Sequence, residues 1–205
     1  MNGEQLITIL TKIDQVVNEQ KDYLNDLDQA IGDGDHGTNV VRGFDEVKAI
    51  IPQLSGQPPK KIMKQVAMTL MSKIGGSSGP LLGTLALQIS HALPEENATP
   101  LSAWTTGLSQ GIEAIKTLAK AQIGDKTLLD ALAPALVALQ AHENEVTAFV
   151  QAASAAKKGS DDTIDLEAKK GRASYLGARS IGHIDPGSVT ISLIFATISQ
   201  VMNNG

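Results

Sequence analysis

The sequence predicts an all-α fold, an antiparallel bundle or barrel of about eight helices with special loops gathered at one end. Three observations carry that expectation. Apolar residues recur at three- and four-residue spacing along most of the chain. Strand signals are nearly absent, because the β-branched run Val189-Thr190-Ile191 lies inside a longer helical pattern. Short polar or glycine-rich junctions separate the periodic stretches, as they do between antiparallel neighbours in helical bundles.

In chain order, Leu6, Ile9, Leu10, Ile13, Val16 and Val17 form one amphipathic face, and Leu24 and Leu27 carry a similar face up to Asp28. A second helix is expected from Thr38-Asn39 through Val40, Val41, Phe44, Val47 and Ile51, stopping at Pro52. Pro58-Pro59 opens a third, with Ile62, Val66, Met68, Leu70 and Met71 mostly inward. Ser78-Gly79-Pro80 reads as the cap and first turn of a fourth, running to about Ala92, with proline where a missing N–H costs least. Thr99-Pro100 starts a fifth, Thr127 a sixth, His142-Glu143 a seventh and Asp185-Pro186-Gly187 the last. Pro134 falls beyond the first turn of the sixth, so either a kink is expected there or the start is misplaced. No repeat or linker divides the chain, and residues 1–205 are expected to form one domain.

Composition narrows the function. Hydrophobic residues make up 42% and charged residues 19%, an ordinary globular balance. The formal net charge of -5 and the 3% aromatic content argue against nucleic acid, which needs basic patches and stacking platforms. Without cysteine there is no disulfide, zinc-thiolate centre or thiolate nucleophile. The N-terminus lacks the layout of a signal peptide, and Val189–Met202 is too short and too polar to span a bilayer. A cytoplasmic protein without a membrane partner is expected.

Polar chemistry concentrates in four junctions, residues 28–39, 75–83, 124–130 and 171–187. The first places Asp28, Asp33 and Asp35 within eight residues, among glycines that let the backbone fold so that they converge. Such carboxylates repel one another unless a divalent cation gathers them. Hard oxygen donors suit Mg²⁺, which completes its octahedron with water and substrate phosphates. The plainer alternative is a solvated Asp/Gly turn. Gly32, Gly34 and Gly37 match a dinucleotide fingerprint, but a helix precedes them and two acids sit inside the loop. A calcium loop from Asp33 would need Gly at position 38 and Glu at position 44, where Thr38 and Phe44 stand. A Walker loop fails because Pro80 follows Gly79.

The second junction, Gly75-Gly76-Ser77-Ser78-Gly79-Pro80, offers free amides and hydroxyls at a helix start, a ready anion site or simply a capped loop. The third, Gly124-Asp125-Lys126-Thr127-Leu128-Leu129-Asp130, reads on its own as a helix cap with exposed Asp and Lys. In the fourth, Arg172 and Arg179 can each fork onto phosphate oxygens or form surface ion pairs. His183, His91 and His142 read as structural or surface histidines. Four special loops in an antiparallel bundle imply one composite site.

Together these four junctions, in this order and over essentially the whole chain, resemble the nucleotide-binding L subunit family of phosphotransferase-system-dependent dihydroxyacetone kinases. The resemblance implies an eight-helix antiparallel barrel with ADP or ATP at one end. It implies that Asp28, Asp33 and Asp35 hold two Mg²⁺ ions bridging the phosphates. It further implies nucleotide contacts from His36, Gly37, Thr38, Asn39, Ser77, Ser78, Arg172, Asp185, Pro186 and Gly187. Leu128 stands where the family often has Met, as an apolar wall for adenine, and Ala119 where related sequences can have Gly. A separate K subunit would bind dihydroxyacetone, and a phosphohistidine-bearing M subunit would rephosphorylate the held ADP. The base for the triose hydroxyl is then expected on the partner. A regulatory module that reports nucleotide state, or an ATP-dependent kinase subunit for another small ketose or polyol, fits the same site residues.

Overall fold

The structure, a computed structural model, describes residues 1–204. Nine α-helices and two 3-10 segments account for the fold, and no strand occurs among the described residues. The helices are α1 (Gly3–Glu19), α2 (Lys21–Ile31), α3 (His36–Leu54), α4 (Pro59–Lys73), α5 (Ser78–Ala92), α6 (Leu101–Ala119), α7 (Leu129–Gln140), α8 (Glu145–Asp162) and α9 (Pro186–Asn204).

Local chemistry explains most of the boundaries. Asn2 and Gln5 form a reciprocal capping box at the start of α1, each side chain accepting the other's amide at 2.9 Å. The continuous first helix expected from periodicity is broken at Gln20, and α2 sets off from there as a separate helix. α3 begins earlier than expected, at His36, because the Asp28 carboxylate supplies the missing cap. It also continues through Pro52 for two more residues; a proline in the final turn forfeits one hydrogen bond without stopping the helix. Pro59 occupies the first turn of α4, where its lost N–H costs least. Asn144 caps α8 by accepting the Thr147 amide at 2.9 Å.

Pro134 lies inside α7, whose start is Leu129. A proline there leaves the carbonyl four residues back, that of Asp130, without its helical donor. Gly159 of α8 packs onto that carbonyl, so closely that a Cβ would overlap it and crowd Pro134. On α4 the buried side chains are Ile62, Met63, Val66, Ala67 and Leu70, whereas Met68 and Met71 are exposed. The inward expectation for those two methionines is corrected: from the centre of the buried stripe Met71 is turned away by about one-third of a turn and Met68 by nearly half.

Eight of the helices close a ring by neighbour contacts, in the order α1, α3, α4, α5, α6, α7, α8, α9 and back to α1. α2 lies outside that ring against α1, α3 and α9. The barrel interior is apolar, with Ile9, Ile62, Leu129, Leu132 and Ile191 fully buried. It retains an apolar cavity of about 130 Å³ bordered by Phe44, Leu82, Trp104, Phe149 and Phe195. One end is sealed by polar contacts between distant segments: the Gly3 amide donates to Asn97, and the Met1 ammonium donates to Thr99 O and Glu145. The other end collects the α2–α3, α4–α5, α6–α7 and α8–α9 junctions, the four singled out by the sequence. No helix among the described residues is long and apolar enough to cross a membrane.

Candidate functional site

Those four junctions line one open cavity of about 700 Å³. Because of the alternating helix directions, α3, α5, α7 and α9 all start at this end. Their first residues or caps, His36, Ser78, Leu128 and Pro186, border the cavity. Helix N-termini carry unpaired amides and a partial positive charge of roughly half an elementary charge each. Four of them border one cavity; Asp28 and Asp185 already accept amides at the starts of α3 and α9, while α5 starts without a side-chain cap, a place suited to an anion.

Beside these helix starts stand three acids. One oxygen from each of Asp28, Asp33 and Asp35 lies within 4.8 Å of the others, and Asp33 and Asp35 are exposed. Asp28 is held by the backbone: its Oδ2 accepts the Asp35 amide at 3.0 Å and the His36 amide at 3.2 Å. Gly32 makes room for it, since a Cβ there would overlap the Asp28 carboxylate. The donor set is all carboxylate oxygen, the chemistry of a Mg²⁺ site, and its open side faces the cavity where phosphates and water would complete the coordination.

His36 bridges two walls. Its Nε2 lies 2.8 Å from Thr190 Oγ1 and its Nδ1 lies 3.3 Å from Ser78 Oγ. Thr190 spends its single hydroxyl proton on Pro186 O, so His36 Nε2–H is the donor to Thr190. Burial holds the ring below its ordinary value, against the raising effect of Asp28 and Asp35, and favours the neutral form. Nδ1 then accepts from the Ser78 hydroxyl. Asn39 is oriented by Arg42, whose guanidinium donates to Asn39 Oδ1 at 2.8 Å and to Lys73 O at 2.9 Å. The Asn39 NH₂ is thereby turned toward Gly76. Gly75 leaves room for this pair: a Cβ would fall 2.5 Å from Asn39 Oδ1 and displace the Arg42 guanidinium.

The remaining walls are apolar and basic. Ile115, Ala119, Leu128 and Leu81 provide a greasy side of the cavity. Gly187 fits between Leu128 and Asp185: a Cβ would stand 3.1 Å from Asp185 Oδ2 and 3.6 Å from Leu128 Cβ. Asp185 caps α9, its Oδ2 accepting the Ser188 amide at 2.6 Å. Burial is the main cause that pushes its carboxyl up to about 7; Asp130 and Asp28 add to the rise, and the Ser188 amide and Lys126 oppose it. Arg172 lies on the 3-10 strap Arg172–Ser180 and forms an ion pair with Asp33, linking the strap to the acid loop.

Thus Asp28, Asp33, Asp35, His36, Asn39, Ser77, Ser78, Ala119, Leu128, Arg172, Asp185, Pro186 and Gly187 are brought to one cavity. Gly37 and Thr38 are not among its lining residues. Thr38 is engaged with Asn25, which accepts its amide at 3.0 Å and donates to its hydroxyl at 3.1 Å. Gly37 packs against the Lys21 carbonyl, where a Cβ would overlap. Both serve the α2–α3 contact behind the acids. Arg179 and His183 also stand outside the lining.

Sequence reasoning missed three features. Lys126, expected to be exposed, is only 2% exposed. Asp130 closes the 124–130 loop, accepting the Gly124 amide at 2.5 Å and the Thr127 amide at 2.7 Å. Its position three residues after Thr127 was the available signal. Lys169, Lys170 and Tyr175 also border the cavity, and Tyr175 stands 86% exposed on its rim; no periodicity in the strap marks them.

Comparison with known proteins agrees with this geometry. The DAK2 domain family matches residues 30–200. The Listeria innocua protein named PEP-dependent dihydroxyacetone kinase 1, ADP-binding subunit DhaL, is 42% identical over 184 residues, covering 90% of this chain and 89% of its own. The Escherichia coli PEP-dependent dihydroxyacetone kinase ADP-binding subunit DhaL is 35% identical over 203 residues, covering 97% of each chain. The crystal structure of the dihydroxyacetone kinase of C. freundii in complex with AMP-PNP and Mg²⁺ superposes with a TM-score of 0.72 at 27% identity. That match covers 95% of this chain and 33% of the larger one. With its barrel and its sequence both matching these proteins, the chain belongs to the DAK2-domain family of dihydroxyacetone kinases, in the company of its DhaL subunits.

Proposed function

We propose that this chain is the nucleotide-holding subunit of a phosphotransferase-system-dependent dihydroxyacetone kinase, working in the cytoplasm with residues 1–205 as one nucleotide-binding domain. The observation that carries the reading is the pairing of three convergent carboxylates with four helix N-termini around a single cavity. Acids alone would repel a polyphosphate, and helix N-termini alone would leave the acids unbalanced; a metal–polyphosphate satisfies both. Relatives named as ADP-binding subunits and a structural neighbour holding AMP-PNP and Mg²⁺ support it.

On this reading ADP or ATP lies with its base against Leu128 and Ala119 and its phosphates among His36, Asn39, Ser77, Ser78 and Arg172. Asp28, Asp33 and Asp35 would hold two Mg²⁺ ions, which neutralise the charge that spreads over the phosphoryl oxygens in flight. The chain's own task is positioning. The backbone clamp on Asp28 fixes one acid, Arg42 aims Asn39, and His36 holds Ser78 at the start of α5. Asp185 to Gly187 close the floor at the start of α9.

In the transfer, the bond from the γ-phosphorus to the ADP oxygen breaks as a dihydroxyacetone hydroxyl bonds to phosphorus and gives up its proton. Both ring nitrogens of His36 are already engaged, so this chain's site histidine is not free to take that proton. The base therefore belongs to a dihydroxyacetone-binding K subunit. Afterwards a phosphohistidine M subunit breaks its N–P bond to rephosphorylate the retained ADP, which makes the nucleotide a cofactor.

Protein purified without added nucleotide should carry ADP in native mass spectrometry. Combined with K and M subunits and a phosphoenolpyruvate-fed donor chain, it should phosphorylate dihydroxyacetone with no net ATP consumption. Turnover that demands one added ATP per product would sink the phosphotransferase version.

A further inference from the structure

The charged side chain buried most deeply at the site end contacts none of the acids of the site. Lys126 is 2% exposed and its ammonium donates three hydrogen bonds, to Thr163 O at 2.7 Å, Leu166 O at 3.0 Å and Ser180 O at 2.8 Å. All three acceptors are main-chain carbonyls, so every donor of the ammonium is satisfied by backbone and none by a carboxylate. Burying a cation costs several kcal/mol of hydration, and an apolar side chain of equal length would fill the same space without that cost. What the ammonium alone supplies is a three-way tie between segments remote in sequence.

Those segments are the two feet of the strap over the site. Thr163 belongs to the 3-10 turn Thr163–Asp165, Leu166 follows it, and Ser180 ends the strap Arg172–Ser180 that carries Arg172 and Tyr175. Ser180 Oγ extends the tie, accepting the Ala168 amide at 2.8 Å and donating to Gly177 O at 2.7 Å. Thr163 carries it to the start of α9: its hydroxyl oxygen accepts the Asp185 amide at 3.0 Å and its proton goes to Ser160 O at 2.6 Å. On the other side, Lys126 sits at φ 61, in the loop that Asp130 closes and that presents Leu128 to the cavity. Further backbone bonds, Lys169 N to Asp125 O at 3.0 Å and Gly182 N to Ile164 O at 2.7 Å, run beside it.

We infer that Lys126 is a positioning residue for the nucleotide: its ammonium pins the strap with Arg172 and the start of α9 with Asp185 to the loop with Leu128. The inference rests on the nucleotide-holding function proposed above. Two of the four junctions that line the cavity are thereby joined before a ligand arrives, so the nucleotide does not pay for ordering them. The clasp acts on binding through Arg172, Asp185 and Leu128: Lys126 borders the cavity, but its ammonium gives all three donors to backbone carbonyls.

The test uses the full chain, its Lys126→Met variant and a control, Leu139→Ala, which opens the α7 core away from the site. Amide hydrogen exchange without ligand and ADP affinity at saturating Mg²⁺ are measured where circular dichroism shows each protein folded. Lys126→Met should speed exchange across residues 163–187 by about tenfold or more while leaving α4 and α5 unchanged. Its ADP dissociation constant should rise by about tenfold or more, while Leu139→Ala, though less heat-stable, stays within about twofold of wild type. Unchanged exchange in the strap, or an affinity loss no larger than the control's at equal loss of melting temperature, would overturn the assignment. Should Lys126→Met not fold, acetylation of the wild-type protein decides: Lys126 should react about tenfold or more slowly than Lys12, and equal rates refute the clasp. A wild-type chain that binds no ADP refutes the nucleotide reading itself, and the clasp is then judged on strap exchange alone.

Discussion

One carboxylate oxygen of Asp28 accepts the His36 amide at 3.2 Å, so the last turn of α2 caps the first turn of α3. The same oxygen accepts the Asp35 amide at 3.0 Å. Asp28 is therefore both a member of the acid triad and the anion that sets where α3 begins. Its second oxygen carries no hydrogen bond to the loop and is the atom that would meet a cation on the function proposed above. The loop is thus built around the Asp28 carboxylate, while Asp33 and Asp35 are supplied on exposed, glycine-flanked backbone.

This dual role separates two substitutions that sequence alone would treat as equivalent. Asp28→Ala should cost about 0.5–2 kcal/mol of stability through the lost cap, a fall in melting temperature of about 2–4 °C per kcal/mol for a chain of this size. Asp33→Ala, at an exposed position, should stay within about 0.5 kcal/mol of wild type in metal-free buffer. Both should lose Mg²⁺-dependent ADP binding. Differential scanning fluorimetry in EDTA, beside calorimetric titration with MgADP, checks the pair; equal melting temperatures for the two variants would contradict the capping role.

Gly32 offers a sharper probe of the same carboxylate. A methyl there overlaps the Asp28 side chain, which must rotate away and release the Asp35 and His36 amides. Gly32→Ala should therefore weaken MgADP binding by about tenfold or more, equivalent to about 1.4 kcal/mol, without removing any ligand atom. ADP binding measured as a function of Mg²⁺ concentration should shift to higher Mg²⁺. A wild-type titration curve would mean that Asp28 does not serve the cation.

The pH dependence of stability follows from Asp185 and His36 with opposite signs. Asp185 is raised from an ordinary 3.8 to about 7, chiefly by burial. Between those values the folded chain binds more protons than the unfolded one, so this group's contribution falls as pH rises through the window. His36 is lowered below 6.5 by burial, so the unfolded chain binds the extra proton and stability falls as pH drops below that value. Asp185→Asn keeps an oxygen for the Ser188 amide and removes the titration. In EDTA without nucleotide, its urea-unfolding free energy should decline less than wild type's between about pH 4 and pH 7. Parallel profiles for the two proteins would show that Asp185 is ionised throughout.

Much of this was legible in sequence, and the exceptions share a cause. The four junctions, the acid triad and the starts of α5 and α9 announce themselves through glycine, proline and, at α9, the Asp185 cap, which act over a few residues. The Ser78 cap expected at α5 is not made, since Ser78 lies within the helix and Ser77 before it makes no side-chain cap bond. The Gln20 break, the outward Met68 and Met71 and the fully buried Lys126 do not announce themselves. Their positions depend on which helix packs beside them, and periodicity cannot choose among neighbours. Lys126 is the clearest case: the residues it binds lie 37 to 54 positions later in the chain. Gly37 and Thr38 show the converse, since a motif read as one binding run divides between the cavity and the helix pair behind it.

Gly159 joins the barrel wall to the site through the same kind of distant contact. Pro134 strips the Asp130 carbonyl of its helical donor, and α8 covers that carbonyl closely only because position 159 has no side chain. A Cβ would overlap the carbonyl and lie 2.7 Å from Pro134 Cγ. Because the obstacle is backbone, it cannot rotate away, and Gly159→Ala must push α7 from α8. Overpacking of this kind costs about 1–3 kcal/mol, outweighing the gain of less than about 1 kcal/mol from replacing glycine by alanine within a helix. The displaced residue is Asp130, which closes the Gly124–Thr127 loop beside Leu128, so ADP affinity should fall together with melting temperature. Scanning calorimetry and ADP titration of Gly159→Ala test both effects. A melting temperature at or above wild type would show that α7 and α8 have slack at this crossing, and that the Asp130 carbonyl does not limit how closely they pack.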